Sequence, residues 1–259
     1  MSDLQAHARK LDGKASIIIG ASRGIGAATA AAFVENGARV MLVARSVEPM
    51  EQIAQRLRER GGDVRVIRAD AQDPASVRSA VEFTVELFGR LDVAVNNAAI
   101  NSYRAPFIEL ADEAFDHLVS VNLKAVFVAM KHEIRAMLGT GGGSIVNVSS
   151  AAALVAMPGM AGYVATKHGV AGLTKAAALE YAGSGIRVNS VAPGAVMTEM
   201  ALTGSLATEA GRLRVQAATP MGRIGSPEEL ARTIVWLCSD DASFITGAIV
   251  PVDGGYTLA

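Results

Sequence analysis

The sequence predicts a doubly wound α/β fold, in which helices cover both faces of a mostly parallel, seven-stranded sheet. Short apolar segments alternate with longer amphipathic ones along the chain, which is the pattern of repeated strand–helix–strand units. The first six apolar segments are rich in Val and Ile, as expected for strands that are buried on both faces. A glycine-rich turn also joins the first apolar segment to an alanine-rich helix. These observations together favour a parallel sheet over a sandwich or a helical bundle.

The strands and helices alternate in the predicted order. The predicted strands cover residues 15–19, 39–43, 64–67, 91–95, 144–148, 187–191 and 248–252. Helices are predicted over residues 24–36, 47–60, 74–89 and 163–182. The first two end at glycines, and the third begins after Asp73, which is followed by a proline in the first turn. Ser226 and Glu229 have the spacing of a capping box, which predicts the start of a late helix.

Composition and charge exclude several classes of protein. The 259 residues are 51% hydrophobic and 19% charged, which argues against disorder, and the formal net charge of -1 gives no general attraction to nucleic acids or anionic membranes. The single cysteine, Cys238, cannot form an intrachain disulfide. No apolar segment is long enough to suggest a membrane span, and the N-terminus lacks the apolar segment of a secretory signal. We expect one cytoplasmic domain over residues 1–259, with a flexible tail at 1–12.

The glycine-rich turn indicates a dinucleotide site. Gly20, Gly24 and Gly26 follow the first strand, where a tight turn, a close approach to a pyrophosphate and close helix–strand packing each favour glycine. The N-terminus of the following helix offers free N–H groups to phosphates. The second strand ends at Ala44, where a carboxylate would bind the ribose of NAD, and Arg45 comes next. With Arg23 as a second cation, the sequence favours NADP(H), while NAD(H) remains an alternative.

A tyrosine and a lysine carry the candidate chemistry. Tyr163 and Lys167 are four residues apart, so they lie on one face of a helix. A lysine beside a phenol favours the phenolate, and we therefore expect the pKa of Tyr163 to be lowered in a partly desolvated site that includes the positive nicotinamide of the cofactor in the oxidative direction. Ser150, at the end of the fifth strand, is predicted to lie on the same edge of the sheet as the glycine turn, because ligands bind beyond the carboxyl ends of parallel strands.

These pieces, in this order, resemble the short-chain dehydrogenase/reductase family, and in particular its β-ketoacyl reductase-like branch. The resemblance covers about residues 14–255. Besides the glycine turn and Tyr163-xxx-Lys167, the matching pieces are Asp70, Asn96-Asn97-Ala98-Ala99, Asn122, Ser150, Asn189-Ser-Val-Ala-Pro193-Gly194 and Asp253-Gly254-Gly255. The sequence departs from the family at Ile19, where Thr is usual, and at Ala99, where Gly is usual. The first departure removes a hydroxyl, and the second adds a methyl beside the cofactor.

The resemblance implies a Rossmann-like fold, a homotetramer or dimer, and a role for each matching residue. Tyr163 would act as general acid in carbonyl reduction, Lys167 would lower its pKa and hold the ribose, and Ser150 would bind the substrate oxygen. Asn122 would hold a water in a proton relay. The implied cofactor-binding residues are Gly20, Ser22, Arg23, Gly24, Ile25, Gly26, Arg45, Asp70, Ala71, Asn97, Ala98, Ala99, Tyr163, Lys167, Pro193, Gly194, Val196 and Thr198.

The substrate wall is predicted from apolar residues near the catalytic ones. Residues 195–225 correspond to the mobile substrate loop of the family. We expect the wall to favour a largely apolar carbonyl compound, because no cluster of Arg or Lys is evident there. Its predicted members are Ala152, Met157, Met160, Val196 and Met200.

The leading hypothesis is therefore an NADPH-dependent carbonyl reductase. The alternatives are an NAD-dependent alcohol dehydrogenase running oxidatively and a nucleotide-sensing regulator on the same fold that catalyses nothing. The four histidines lack the spacing of a metal site, so no metal is expected.

Overall fold

The structure is a computed structural model that describes residues 9–101 and 103–259. Within this part of the chain, seven strands form one sheet in which every pairing is parallel. The strands are β1 (Ala15–Ile19), β2 (Arg39–Ala44), β3 (Val64–Arg68), β4 (Val93–Asn96), β5 (Gly143–Val148), β6 (Ile186–Pro193) and β7 (Ile249–Val252). They lie in the order β3-β2-β1-β4-β5-β6-β7. The predicted fold class is confirmed.

Helices connect successive strands. They are α1 (Gly24–Glu35), α2 (Val47–Arg58), α3 (Pro74–Phe88), α4 (Asp112–Val119), α5 (Ala125–Leu138), α6 (Ala161–Tyr181), α7 (Glu199–Leu202), α8 (Glu209–Ala217) and α9 (Pro227–Cys238). A π-helical turn, Ser120–Lys124, joins α4 to α5. Short 3₁₀ turns cover Phe107–Glu109, Ala151–Ala153, Ala182–Ser184, Asp240–Ala242 and Tyr256–Leu258. The predicted capping at α9 is present, because the N–H of Ser226 donates to the Glu229 carboxylate at 2.8 Å.

The sheet separates two apolar cores. Helices α1, α2 and α9 contribute Phe33, Met50 and Ile234 to one core, and α3, α5 and α6 contribute residues such as Val81 and Val170 to the other. Strand β1 is buried along its whole length between them. Since Phe33 is fully buried, its truncation to Ala would cost about 3–5 kcal/mol of stability.

Two expectations need correction. Strand β3 was expected to be buried on both faces, but it lies at the edge of the sheet and its Arg65 and Arg68 are exposed. The predicted tail of residues 1–12 lies partly outside the described residues, and its Leu11 is fully buried in a core, with its N–H donating to the carbonyl of Asn36 at 3.0 Å. The packed part of the chain therefore begins before residue 12.

Because all the strands are parallel, their carboxyl ends share one edge of the sheet. The segments that follow β1, β2, β4, β5 and β6 all leave from this edge and surround the candidate site. No helix in the described ranges combines the length and the apolar character needed to cross a bilayer.

Candidate active site

A cavity of about 1100 Å³ opens at the carboxyl edge of the sheet. It brings together residues that are far apart in the sequence, from the glycine turn to the end of β6. The predicted site residues on its wall are Gly20, Ser22, Arg23, Gly24, Ile25, Arg45, Asp70, Ala71, Asn97, Ala98, Ala99, Ser150, Met157, Met160, Tyr163, Lys167, Pro193, Gly194, Val196, Thr198 and Met200. A cavity of this volume holds a molecule the size of a dinucleotide with space beyond it.

The glycine turn is built by close backbone contacts. Gly20 has a φ of +90° and Gly24 a φ of +55°, which side-chain-bearing residues rarely adopt. A Cβ at Gly26 would clash with the carbonyl oxygen of Gly20, which also accepts from the Asn97 side chain at 2.8 Å. Gly26 was predicted to bind the cofactor, but it is not among the described cavity-lining residues. Its place is in the packing of α1 against the turn.

The part of the cavity formed by the segments after β2 and β3 and by the N-terminus of α1 suits the adenosine half of a dinucleotide. Arg45 follows β2 and its carbonyl accepts a hydrogen bond from the Arg68 side chain at 3.3 Å. Asp70 follows β3, and its carboxylate accepts from the N–H of Gln72 at 3.0 Å. Arg23 and the N-terminus of α1 lie on the same wall. Cations, free helix N–H groups and a glycine cradle match the needs of a pyrophosphate and a phosphorylated ribose.

Ser150, Tyr163 and Lys167 all line the cavity. Ser150 follows β5, and its hydroxyl oxygen accepts from the N–H of Ala152 at 3.2 Å, so its own proton is free to be donated. Lys167 lies one turn after Tyr163 on α6, with its ammonium 5.6 Å from the centre of the phenol ring. That ammonium donates to the carbonyl of Val148 at 3.1 Å, which fixes it beneath the site.

The electrostatics differ from the expectation for Tyr163. Burial raises the pKa of the Tyr163 phenol above its ordinary value, and the Ser150 hydroxyl only partly opposes this effect. Burial also lowers the pKa of Lys167 to about 8. The spacing of the two residues correctly indicated that they are neighbours. In the protein without a bound nucleotide, however, the loss of water around the phenol has the larger effect on its pKa.

Asn122 is held by hydrogen bonds to the backbone of the segment after β4. It lies in the π-helical turn and is fully buried directly behind the cavity wall, which its neighbour Val121 and its hydrogen-bond partner Ile100 both line. Its side-chain oxygen accepts from the N–H of Ile100 at 2.8 Å, and its amide nitrogen donates to the carbonyl of Ile100 at 2.9 Å. The amide therefore holds the segment after β4 in place. Its role in a water relay stays a prediction.

The substrate side of the cavity has an apolar wall. Met157, Met160, Val196 and Met200 line it as predicted, whereas Ala152 is fully buried and is not part of the described wall. The segment from residue 195 to 225 is closed at its base, because Met197 donates to the carbonyl of Gly225 at 2.9 Å and Gly225 donates to that of Ala195 at 3.0 Å.

Several lining residues were not predicted. Gln72 and Ser46 each follow a predicted strand end closely, so their positions could have been inferred. Arg104, His117 and Arg214 also lie on the wall, and no motif marks them. The remaining unpredicted members include Ile100, Asn101, Glu199, Ser205 and Tyr256.

Metal ligands do not cluster in the described ranges. Across residues 9–101 and 103–259, no group of three or more His, Cys, Asp or Glu side chains could hold a metal ion.

Comparison with known proteins gives consistent matches over nearly the whole chain. A family model described as enoyl-(acyl carrier protein) reductase matches residues 20–257. Cyclohexanol dehydrogenase of Acinetobacter sp. strain SE19 is 42% identical, with 96% of each chain covered. The 3-oxoacyl-(acyl-carrier-protein) reductase of Thermotoga maritima is 39% identical, covering 96% of this chain and all of that one.

Solved structures agree with these matches. The crystal structure of a gluconate 5-dehydrogenase from Burkholderia cenocepacia J2315, in complex with NADP and tartrate, superimposes with a TM-score of 0.92. The two chains are 34% identical, and the match covers 97% of this chain and 98% of that one. On the family match, the relatives and the parallel fold, this chain belongs to the short-chain dehydrogenase/reductase family.

Proposed function

We propose that this oxidoreductase transfers a hydride between NADP(H) and a ketone or secondary alcohol, and that it acts as an NADPH-dependent reductase of a largely apolar carbonyl compound. The carrying observation is that Ser150, Tyr163 and Lys167 line the same cavity as the glycine turn. A hydride donor held on the turn would lie within one enclosed space with the proton donor. That arrangement lets both transfers reach one carbonyl group.

The protein's share of the reaction is proton transfer and charge stabilisation. The bound nicotinamide supplies or accepts the hydride. Tyr163 keeps its proton at neutral pH because burial raises its pKa, so its hydroxyl suits the role of general acid toward a carbonyl oxygen. The hydroxyl of Ser150 can donate to the same oxygen and stabilise its developing charge. Lys167, fixed by the carbonyl of Val148, stabilises the phenolate that remains.

The preference for NADP(H) rests on the charge at the end of β2. Ala44 leaves no carboxylate to repel a 2′-phosphate, and Arg45 and Arg23 can each donate two hydrogen bonds to one. The related gluconate 5-dehydrogenase was crystallised with NADP, which supports the same choice here.

The substrate class is inferred from the apolar wall and from one relative. Met157, Met160 and Met200 offer adaptable apolar contacts. Cyclohexanol dehydrogenase by its name oxidises a cyclic alcohol, so an alicyclic ketone or alcohol is a reasonable first substrate. That name also supports the second candidate function, an NAD-dependent dehydrogenase running oxidatively.

A panel of ketones and alcohols assayed with NADPH, NADH and the oxidised forms tests the proposal. We expect cyclohexanone and related apolar ketones to be reduced faster with NADPH than phosphorylated sugars are. Replacing the phenol hydroxyl in Tyr163→Phe should lower turnover by about 10²–10⁴-fold and leave nucleotide affinity within about threefold. Tyr181→Phe, at the other end of α6, is the matched control. Retained turnover in Tyr163→Phe would show that another group acts as the acid, whereas a wild-type protein that turns over no compound in the panel would favour the regulator.

We also infer that the chain forms a homo-oligomer. Phe107 and Ile108 are 82% and 92% exposed, and Phe244 is fully exposed, which is unusual for large apolar side chains of a monomer. Sedimentation of the purified protein tests this inference, and a monomer at micromolar concentration would contradict it.

A further inference from the structure

The charged residues on the cavity wall are unevenly distributed. The acidic ones lie toward the nucleotide, because Asp70 follows β3 and the carboxylate of Glu199 lies 3.6 Å from a Cβ built on Gly24. Two exposed cations, Arg104 and Arg214, come from segments outside the nucleotide-binding turns. Neither is part of an ion pair within the described residues. The cavity wall therefore carries two positive charges that no acidic side chain among the described residues neutralises by an ion pair.

Arg104 is tied through its neighbour to the segment that precedes α6. The N–H of the next residue, Ala105, donates to the carbonyl of Gly159 at 3.1 Å. Gly159 lies between Met157 and Met160, in the segment that leads from Ser150 into α6. Arg104 therefore joins the wall beside the predicted apolar contacts for the substrate.

The residue before Arg104 is held in a strained conformation. Tyr103 has a φ of +66°, and it is the one residue other than glycine with a positive φ in the described chain. Its hydroxyl lies 2.8 Å from Nδ1 of His117, and the two rings meet at 66° with their centres 5.8 Å apart. Such strain persists where surrounding contacts enforce it. The Tyr103–His117 pair and the Ala105–Gly159 bond fix the backbone on both sides of Arg104.

We propose that Arg104, assisted by Arg214, forms an anion subsite, and that the substrate is an apolar ketone or secondary alcohol carrying a carboxylate. This inference rests on the proposed function and names its substrate class more closely. The planar guanidinium can donate two parallel hydrogen bonds to a carboxylate, while the methionines contact the apolar body. The sequence showed no cluster of Arg or Lys near the substrate wall, and the presence of Arg104 and Arg214 on the cavity wall corrects that expectation. Tyr103 acts as a positioning residue through its bond to His117.

A binding experiment tests the subsite without turnover. Cyclohexanecarboxylate and cyclohexanecarboxamide have one shape and differ in charge, and their affinities can be measured by calorimetry with saturating NADP⁺. We expect the carboxylate to bind about tenfold more tightly to the wild-type protein. Arg104→Gln should abolish that preference, and Arg214→Gln should reduce it. Arg135→Gln, on the exposed surface of α5, is the matched control. Equal affinities in the wild type, or a preference that survives Arg104→Gln, would overturn the proposal.

A turnover experiment separates the subsite from the reaction. For 4-oxocyclohexanecarboxylate and its methyl ester, Arg104→Gln should raise the ratio of KM values, acid to ester, by about tenfold. Tyr103→Phe should change the ratio in the same direction by a smaller factor, and Arg104→Lys should partly restore it. A wild type that reduces both compounds with equal KM values would sink the subsite and leave the proposed function standing. A wild type that binds the carboxylate selectively and reduces neither compound would leave the subsite standing and sink the function.

Discussion

The two halves of the cavity are constructed differently. The nucleotide half comprises the turn from Gly20 to Gly26 and the segments after β2, β3 and β4, and there backbone lies against backbone. The substrate half comprises residues 103–105, 157–160 and 200–225, and there the wall is made of side chains such as Arg104 and Met200, both exposed. A close contact between two backbone segments leaves no space for an added atom. A wall made of exposed side chains, in contrast, can accept substitutions without a change in the fold. We therefore expect substitutions in the nucleotide half to have the larger effects.

Gly20→Ala tests the nucleotide half most severely. A Cβ at Gly20 would lie 2.5 Å from the backbone nitrogen of Ala98, and the φ of +90° would strain any side chain. We expect nucleotide affinity to fall by about 100-fold or more and the free energy of unfolding to fall by about 1–3 kcal/mol. Nucleotide titration followed by fluorescence, together with chemical unfolding, measures both.

The matched control for Gly20→Ala is Gly172→Ala. Gly172 lies inside α6, and a Cβ there would meet nothing within 4 Å. Alanine should therefore stabilise the protein by about 1 kcal/mol, because glycine is the weaker helix former, and should leave nucleotide affinity unchanged. Wild-type nucleotide affinity in Gly20→Ala would show that close backbone contacts do not determine nucleotide binding in this half of the cavity.

A buried carboxyl supports the nucleotide half from below. Glu133 on α5 is fully buried, and its carboxylate accepts from the side chain of Asn96 at 3.0 Å. Asn96 also donates to Asn147 at 3.0 Å, and it directly precedes Asn97 on the cavity wall. One carboxylate oxygen of Glu133 has no hydrogen-bond partner among the described residues. Burial raises the pKa of Glu133 to about 7, so the folded protein favours the protonated acid.

Stability should therefore fall as the pH rises. Between the ordinary pKa of 4.5 and about 7, the folded chain binds more protons at Glu133 than the unfolded chain does. At 1.36 kcal/mol per pH unit, the loss amounts to about 3 kcal/mol and is complete above about pH 7. Glu133→Gln, which resembles the protonated acid, should remove this loss. Urea unfolding at about pH 5 and about pH 8 measures it, with the exposed Glu180→Gln as control. An unchanged pH slope in Glu133→Gln would refute the assignment.

These two regions also show what the sequence could predict. Strand β1, helix α1 and the glycine turn were predicted closely, because periodicity and glycine spacing report on local backbone geometry. The glycine spacing placed Gly26 near the site, and the family resemblance placed Asn122 there. The sequence could not show whether these residues contact a ligand or the neighbouring backbone. In the structure, both contact backbone.

Other features depend on residues that are distant in the sequence. Glu133 and Asn96 are 37 residues apart, so no local pattern marks their hydrogen bond. In the chain alone, burial raises the pKa of Tyr163, whereas the sequence predicted a lowered pKa beside Lys167 and a bound nicotinamide. Four-residue spacing gives proximity to Lys167 but not the degree of burial. Arg104 reaches the wall through contacts with α4 and with the segment before α6, which only the fold brings together.

Arg45→Ala should produce an intermediate effect on nucleotide affinity. The proposed contact with the 2′-phosphate is made by a side chain, whereas the rest of the nucleotide half is formed by backbone contacts. We expect affinity for NADPH to fall about tenfold and affinity for NADH to change by less than about twofold, since only NADPH bears the 2′-phosphate. Arg56→Ala, on α2 but away from the described cavity wall, is the matched control. Equal losses for the two nucleotides would contradict the phosphate contact.

Met200→Ala should have the smallest effect and tests the tolerance of the substrate half. Met200 lies on α7 with 41% of its surface exposed, so its truncation creates no closed cavity and should change stability by less than about 0.5 kcal/mol. The lost apolar contact should raise the KM for cyclohexanone about threefold and leave nucleotide affinity unchanged. Met221→Ala, 69% exposed and outside the described wall, controls for the loss of a surface methionine. A loss of nucleotide affinity in Met200→Ala as large as that in Gly20→Ala would mean that the two halves are not independent.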